Sequence, residues 1–451
     1  MKVCDSWIRT QRRADAHHSA LSLICATTAL AAHNFTGGTT AHSLFKIPAD
    51  DADQQEEDYV VESRLPYFPG AKRLVDAAEF IGWDEFPCTH RIVFEAAYRA
   101  TTGFAGKILM CSGDLRQLTP VVQSSSVAHQ VDASPVHSHY WEKFEVFVLD
   151  ENMRQAADPD YAQFITDIGE AKDGADYEHS SAVVDISSFV TRAFSPARVE
   201  DAIRFAYPHS NDQSLEPVDR AKQMSRMAIL AHTNERVAFW NQEVQNTLRL
   251  GRCRTYFSRN RLRDIHDHDE RAQLRTVECL QHCDAADVPT HELKLHVGDL
   301  CILMRNIDKP VGLTNNQRVI IQALSDHTVG VSIARDDAHP VHVHWLPRIH
   351  FRFVMPGTSF DMVRTQFPLK LAYAFTVHKA QGQELERVLL DATTPVFAHG
   401  QLYVALSRVR TRNDIGAFVD DIDHADGKIL CKNIVFQNLI ASLFNTVQRQ
   451  T

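Results

Sequence analysis

Two adjacent carboxylates, Asp84 and Glu85, follow the apolar run Ile81-Gly82-Trp83. A strand that ends in such a pair can present one carboxylate to Mg²⁺ and the other to a water that attacks a phosphoryl group. Downstream stands Ser112-Gly113-Asp114-Leu115-Arg116-Gln117-Leu118-Thr119-Pro120, directly after the apolar run Lys107–Cys111. The separation of about 30 residues suits one βαβ unit. Parallel neighbours would then aim Asp84, Glu85 and Gln117 into one cleft, with Gln117 sensing a terminal phosphate and Asp114 supporting it. A capped turn with a proline stop accounts for the second run equally well. Three further constellations carry polar groups in order: Asn152-Met153-Arg154-Gln155, Thr376-Val377-His378-Lys379-Ala380-Gln381-Gly382-Gln383 and Gln401-Leu402-Tyr403-Val404-Ala405-Leu406-Ser407-Arg408. An arginine that reaches a transferring phosphate neutralises its charge. Arg408 is the first candidate for that work and Arg154 the second. Tyr403 and Leu406 read as core packing.

The elements that must position these groups are strands of parallel sheets. Short apolar runs alternate with helical patterns, the mark of βαβ units. Strands are predicted at Leu21–Ala26, Glu79–Trp83, Lys107–Cys111, Glu145–Leu149, Met227–Ala231, Leu369–Phe375 and Arg387–Leu390. Several end at a polar cluster, where open α/β sheets hold ligands. Between about Val297 and Phe353 the pattern changes. Leu300–Met304, Val319–Gln322, Thr328–Ile333 and Val341–Trp345 follow one another with turns between, as in a small antiparallel barrel.

Composition narrows the class. With 451 residues, 44% hydrophobic and 23% charged, the chain suits two or three globular domains. Its formal charge of −10 excludes nucleic-acid binding by bulk charge, so any such contact is local. Nine cysteines without a repeating framework suggest reduced, intracellular thiols. Cys279, His282, Cys283 and His291 lack the paired spacing of a structural zinc site. The apolar run Ser19–Ala32 is short for a membrane span and reads as a strand entering a helix rather than a leader. Asp50 to Asp58, rich in carboxylates, reads as a solvated loop.

Taken in order, these motifs resemble the petite-integration-frequency (PIF-type) superfamily-one DNA helicases, the Helitron-like branch in particular. Thr40 to Pro48, TAHSLFKIP, looks like the family's first DNA-contact motif. WDEFPCTHR, Trp83 to Arg91, is similar to its Mg²⁺ motif, with Phe86 and Cys88 as departures. SGDLRQLTPVV and NMR match the next two. Ala228 to Ala231 with Thr233-Asn234 resembles the opening of the second motor lobe. Arg305-Asn306, Gly312-Leu313 and Asn315 to Arg318 resemble another family segment, and AFTVHKAQGQ and HGQLYVALSRV match the last two motifs.

The resemblance implies two RecA-like parallel-sheet lobes, an α/β fold, with a small β-barrel inserted in the second. Residues 1–155 would form the first lobe, 156–295 and 362–451 the second, and 296–361 the insertion. It implies ATP and Mg²⁺ as cofactors, single-stranded and forked duplex DNA as partners, 5′-to-3′ translocation with unwinding, and a nuclear address. Repair, recombination, telomere-type or Helitron roles go with it. Carried over by position, Asp84 serves the metal and Glu85 the water. Gln117, Arg154 and Arg408 serve the γ-phosphate, and Asp114, Gly382 and Gln383 assist nucleotide binding. His42, Lys46, Thr376, His378, Lys379 and Gln381 lie in motifs that touch DNA, with His378 standing where the family commonly has Asn. One part is absent from these 451 residues: no Gly-Lys-Ser/Thr phosphate loop occurs, and Gly106-Lys107 and Gly427-Lys428 are both followed by Ile. In the family that loop precedes the TAHS motif, so the chain is expected to begin just after it. A motor and a remnant that only binds single strands both remain open on the sequence alone.

Overall fold

A computed structural model describes residues 21–48, 60–122, 126–149, 151–190, 192–210, 212, 214–248, 251–262, 285, 287–334, 341–355, 361–420 and 428–442. The acidic run from Asp50 to Asp58, and Cys279, His282 and Cys283, lie outside them. The chain divides into two compact units. The first comprises Met1–Phe189, Pro395–Arg410 and Leu430–Thr451, and the second Val190–Thr394 and Thr411–Ile429.

In the first unit, β1 (Leu21–Ala26), β2 (Thr39–Thr40), β3 (Ala78–Asp84) and β4 (Ile108–Cys111) form a parallel sheet in the order β2-β1-β3-β4. The apolar runs predicted this because a strand covered on both faces needs near-continuous apolar residues. Trp83 lies at its centre with no exposed surface, stacked on Phe45 and edge-on to Phe86 and Phe94. β5 (Ser181–Asp185) pairs elsewhere, as described below.

The stretch Glu145–Leu149, predicted as a strand, forms none. Its alternating side chains have the right propensity, but a strand exists only where a neighbour completes its ladder. Among the described residues β4 pairs with β3 alone. Phe147 and Leu149 consequently stand 79% and 91% exposed.

The second unit is built on β6 (Arg192–Phe194) and β7 (Met227–Ala231), followed by a run of antiparallel strands. These are β8 (Cys253–Phe257), β9 (Arg259–Leu262), β10 (Glu292–His296), β11 (Leu300–Leu303), β12 (Arg318–Leu324), β13 (Thr328–Ile333), β14 (His344–Pro347), β15 (Ile349–Val354), β16 (Asp361–Gln366) and β17 (Leu369–Leu371). They pair as β10-β8, β14-β13-β12-β11-β17 and β15-β16-β9. The chain then returns through β18 (Ala374–Thr376), β19 (Arg387–Asp391) and β20 (Ile415–Phe418) to a parallel sheet ordered β18-β7-β19-β20-β6. Finally β21 (Leu430–Ile434) pairs antiparallel with β5 in the first unit. Parallel sheets with helices between their strands make this an α/β fold.

The single strand predicted over Leu369–Phe375 is two strands in two sheets. Asn241 forces the break: its Oδ1 accepts from the backbone N–H of both Tyr373 and Ala374, at 2.9 Å each. Those two donors are thereby withdrawn from a continuing ladder, and the chain passes from the antiparallel to the parallel sheet.

Candidate functional site

In each unit the chemistry-bearing residues collect at the carboxyl ends of the parallel strands. In the first unit the register sets Ala26 beside Asp84 and Trp83 beside Cys111. Thr27, Asp84-Glu85 and Ser112 therefore emerge together. Ser112 Oγ donates to Asp84 Oδ1 at 2.6 Å. Thr27 Oγ1 donates to the Glu85 carbonyl at 2.7 Å, and Thr27 N–H to the Asp84 carbonyl at 3.1 Å. Glu85 itself has φ 52°, the left-handed region, which costs a side-chain-bearing residue of order 1–3 kcal/mol. Strain of that kind persists where the surroundings over-determine it, and here Thr27 and Phe86 N–H, bonded to the Ser112 carbonyl at 2.9 Å, hold it.

The Ser112 to Pro120 run is tied down on both sides. Asp114 Oδ1 accepts from Arg116 N–H at 3.0 Å and Nε at 2.8 Å, and its Oδ2 accepts from Tyr403 OH at 2.6 Å. Burial alone would raise the Asp114 pKa, but the Arg116 charge and these hydrogen bonds outweigh it and hold the carboxyl below its ordinary value. Both Asp114 oxygens are thus engaged within the protein. Gln117 differs: its Oε1 is buried and has no hydrogen-bond partner among the described residues. A buried acceptor left open is unusual and calls for an explanation.

Arg408 lies 1% exposed. Its Nε donates to the Val404 carbonyl and its Nη2 to Ser407 Oγ, both at 2.9 Å. Burial, and then the like charge of Arg154, pull its pKa down to about 10, while Glu85, Tyr403 and Asp114 oppose the shift. A guanidinium stays protonated in proteins, and the shift has burial and the like charge of Arg154 as its causes. The structure thereby brings Glu85, Arg154 and Arg408 within electrostatic reach of one another inside one unit.

Hydrogen bonds across long stretches of sequence fix that arrangement. Arg154 Nη1 donates to the Ser407 carbonyl at 2.9 Å, and Gln155 Nε2 donates to the carbonyls of Ser407 at 3.3 Å and Val409 at 2.6 Å. Tyr161 OH donates to the Leu406 carbonyl at 2.9 Å. The carbonyls on either side of Arg408 are therefore clamped. His399 bridges two further segments, with Nε2 against the Leu115 carbonyl at 2.8 Å and Nδ1 accepting from Phe436 N–H at 2.9 Å. Tyr403, read from the sequence as core, is both core and the partner of Asp114. Gln155 was within a quoted motif. Tyr161 gave no signal, because its partner is 245 residues away.

Gly400 shows how close this packing is. It has φ +72°, and a Cβ there would sit 2.5 Å from the Arg116 carbonyl oxygen. Gly400→Ala is expected to lower unfolding stability by on the order of 1–3 kcal/mol, through left-handed strain plus the clash. Denaturant unfolding monitored by circular dichroism checks this.

Buried histidines give a pH dependence. Burial lowers the pKa of His399 to about 4, and burial likewise lowers His232 to about 4. Below the unfolded value of 6.5 the unfolded chain takes up protons that the folded chain refuses, so folding stability present above that pH is lost as pH falls toward 4. Each histidine should cost roughly 2 kcal/mol by about pH 5. Chemical-denaturation midpoints at neutral and acid pH test this, and a flat profile contradicts it.

In the second unit, Thr376 ends β18 beside Ala231 of β7. His378 and Lys379 follow in the short helix Val377–Ala380, and burial lowers the pKa of both, against Asp287 in the case of Lys379. Gln383 Nε2 donates to the Lys379 carbonyl at 2.8 Å, and Gly382 takes φ +72° to make that turn. Gln381 closes the helix as its C-cap. Asp391, fully buried at the end of β19, accepts from Arg236 and Trp240 at 2.7 and 2.6 Å. In the first unit, His42 lies with Thr27 and Thr89 along a cavity of about 120 Å³. Lys46 Nζ sits 5.5 Å from the centre of the Phe68 ring. His291 bonds Ser258 Oγ at 2.8 Å.

Known proteins resemble this chain in sequence and in fold. The model of the PIF1-like helicase family matches residues 10–178, and that of the DNA helicase Pif1 2B domain matches residues 278–324. The Campylobacter jejuni protein named ATP-dependent DNA helicase Pif1 is 24% identical over 88% of this chain and 81% of its own length. The human protein named ATP-dependent DNA helicase PIF1 is 34% identical over 32% of this chain and 22% of its own. The Trypanosoma brucei relative, ATP-dependent DNA helicase PIF6, is 34% identical, but the match spans 16% of its length. Among solved structures, Candida albicans Pif1 superposes with TM-score 0.60 at 19% identity, covering 98% of this chain and 91% of that one. Bacteroides Pif1 bound to single-stranded DNA gives TM-score 0.60 at 18% identity, covering 99% and 91%. Two family models match in sequence order and one relative aligns along most of the chain, so the chain is similar to the PIF1-like helicases in sequence and shares the fold of their solved structures.

Proposed function

We propose that this chain is the motor body of an ATP-dependent DNA helicase that moves 5′ to 3′ on single-stranded DNA and opens duplex at forks. The observation that carries the reading is that Arg408, 1% exposed, is held near Glu85 and Arg154 by clamped carbonyls. A phosphoryl group in transfer is the anion this pair of arginines suits, and Glu85 is the carboxylate that would polarise the attacking water. Gln117, with its open acceptor, would orient that water. Asp84 with Ser112 would hold Mg²⁺, which commonly binds proteins through one or two carboxylates and keeps waters and phosphate oxygens as its other ligands. Asp114 would act by positioning, since its oxygens are taken by Arg116 and Tyr403. Gly382 and Gln383 would shape the nucleotide-facing turn. His42, Lys46, Thr376, His378, Lys379 and Gln381 would contact the DNA backbone. The division into lobes 1–155 and 156–295 with 362–451, closure of 296–361 as a barrel, and a nuclear address belong to the same proposal. Among the described residues no helix is long and apolar enough to cross a membrane.

Single-strand binding tests this reading without requiring turnover. Affinity for mixed-sequence oligonucleotides should fall steeply with salt, because phosphate-tracking cations release counterions on binding. Composition should matter little. Fluorescence anisotropy at low and moderate salt decides it, and an affinity indifferent to salt contradicts it.

A further inference from the structure

The three-stranded sheet β15-β16-β9 has one buried and one open face. The register sets His350 opposite Thr365 and Arg259, and Arg352 opposite Val363 and Arg261. Residues opposite each other point the same way, and residues two apart share a face. One face therefore carries Phe351, Met362 and Arg364, all fully buried. The other carries Arg259, Arg261, Arg352 and His350, all exposed. Val363 lies between Arg352 and Arg261 and is only 3% exposed, as expected where arginine stems lie over an apolar neighbour. None of the three guanidiniums makes an ion pair, side-chain hydrogen bond or ring contact with another described residue. His350 Nδ1 pairs with Thr365 Oγ1 at 2.8 Å. Among the described residues of these strands, the one carboxylate on this face is Asp361, at its far end opposite Val354.

Three arginines on one face, without a partner among the described residues, are costly in like-charge repulsion and stand out in a chain of net charge −10. Along a strand, Arg259 and Arg261 are about 7 Å apart, and Arg352 lies about 10 Å across the sheet. We propose that this face is a docking surface for the phosphate backbone of duplex DNA. Charge complementarity supplies the attraction, and Arg suits phosphate through its forked donors. Single-strand sites combine cations with aromatic platforms on which bases stack. Among the described residues of these strands this face presents no Phe, Tyr or Trp, since Phe351 and Phe353 point to the opposite side. Duplex, whose bases are already stacked, is the occupant that fits. The surface is separate from the motor residues, and the proposal stands whether or not the ATP reading does.

The test uses the full chain and compares it with the triple substitution Arg259→Ala, Arg261→Ala, Arg352→Ala and with the corresponding triple Lys version. Anisotropy would be read with a short blunt duplex and with a single strand across a salt series. The Ala version should bind duplex at least about tenfold more weakly. Its log–log salt slope should be shallower by roughly two to three units, near 0.9 for each phosphate left without its arginine. Its single-strand affinity should stay within about twofold. The Lys version should keep most of the slope. Unchanged duplex affinity, an equal loss on both DNAs, or a Lys version as weak as the Ala version would each overturn the proposal. A parent that binds duplex through these arginines but no single strand would instead remove the motor reading and leave this one.

Discussion

ATP turnover by these 451 residues alone should lie near background, and a version with a Gly-rich Gly-Lys-Thr loop joined ahead of Met1 should exceed it by several orders of magnitude. In the proposed reading Asp84, Glu85, Gln117, Arg154 and Arg408 would handle the metal, the water and one side of the γ-phosphate. They provide no backbone cradle for the other phosphates, and the sequence holds no Gly-Lys-Ser/Thr to supply one. Loss of one preorganised oxyanion donor already costs about a hundredfold to a thousandfold. A phosphate loop contributes several such donors, a lysine and a metal-binding hydroxyl, so its contribution should be larger. A coupled phosphate-release assay with and without single-stranded DNA reads both proteins.

In the loop-bearing protein, Arg408→Ala should lower DNA-stimulated turnover by about a thousandfold or more, the range an arginine at the transferring phosphate supplies. Arg408→Lys should recover little, because an ammonium lacks the planar fork and Arg408 already spends donors on Val404 and Ser407. Gln155→Ala should reduce turnover in the same direction by a smaller factor. Gln155 would act by positioning, since it holds the carbonyls of Ser407 and Val409 that flank Arg408. Its effect should fall on kcat with single-strand affinity retained, whereas general unfolding would remove both.

Much of this was legible in the sequence because its signals are local. Met227–Ala231 and Leu21–Ala26 are continuous apolar runs, and both became parallel strands. Asp84 and Ser112 follow neighbouring strands, so a shared sheet brought them together. What escaped depends on distant partners. Nothing near Glu145–Leu149 says whether a neighbouring strand exists, and the stretch forms no strand. The break at Ala372-Tyr373 is set by Asn241, 132 residues earlier. Tyr403 looked like core because its hydroxyl partner, Asp114, is 289 residues away. The strained φ of Glu85 has no sequence signature at all, since glutamate is an ordinary residue until Thr27 and Ser112 fix its backbone.

The most direct test of the central assignment is Glu85→Gln in the loop-bearing protein. This change keeps size and close to the same shape but removes the charge that, in the proposed reading, would polarise the attacking water. Single-strand binding should be retained while DNA-stimulated ATP hydrolysis falls by about two to three orders of magnitude or more. Hydrolysis that persists in the Glu85→Gln protein at the parent's rate would contradict the placement of the catalytic centre at the end of β3.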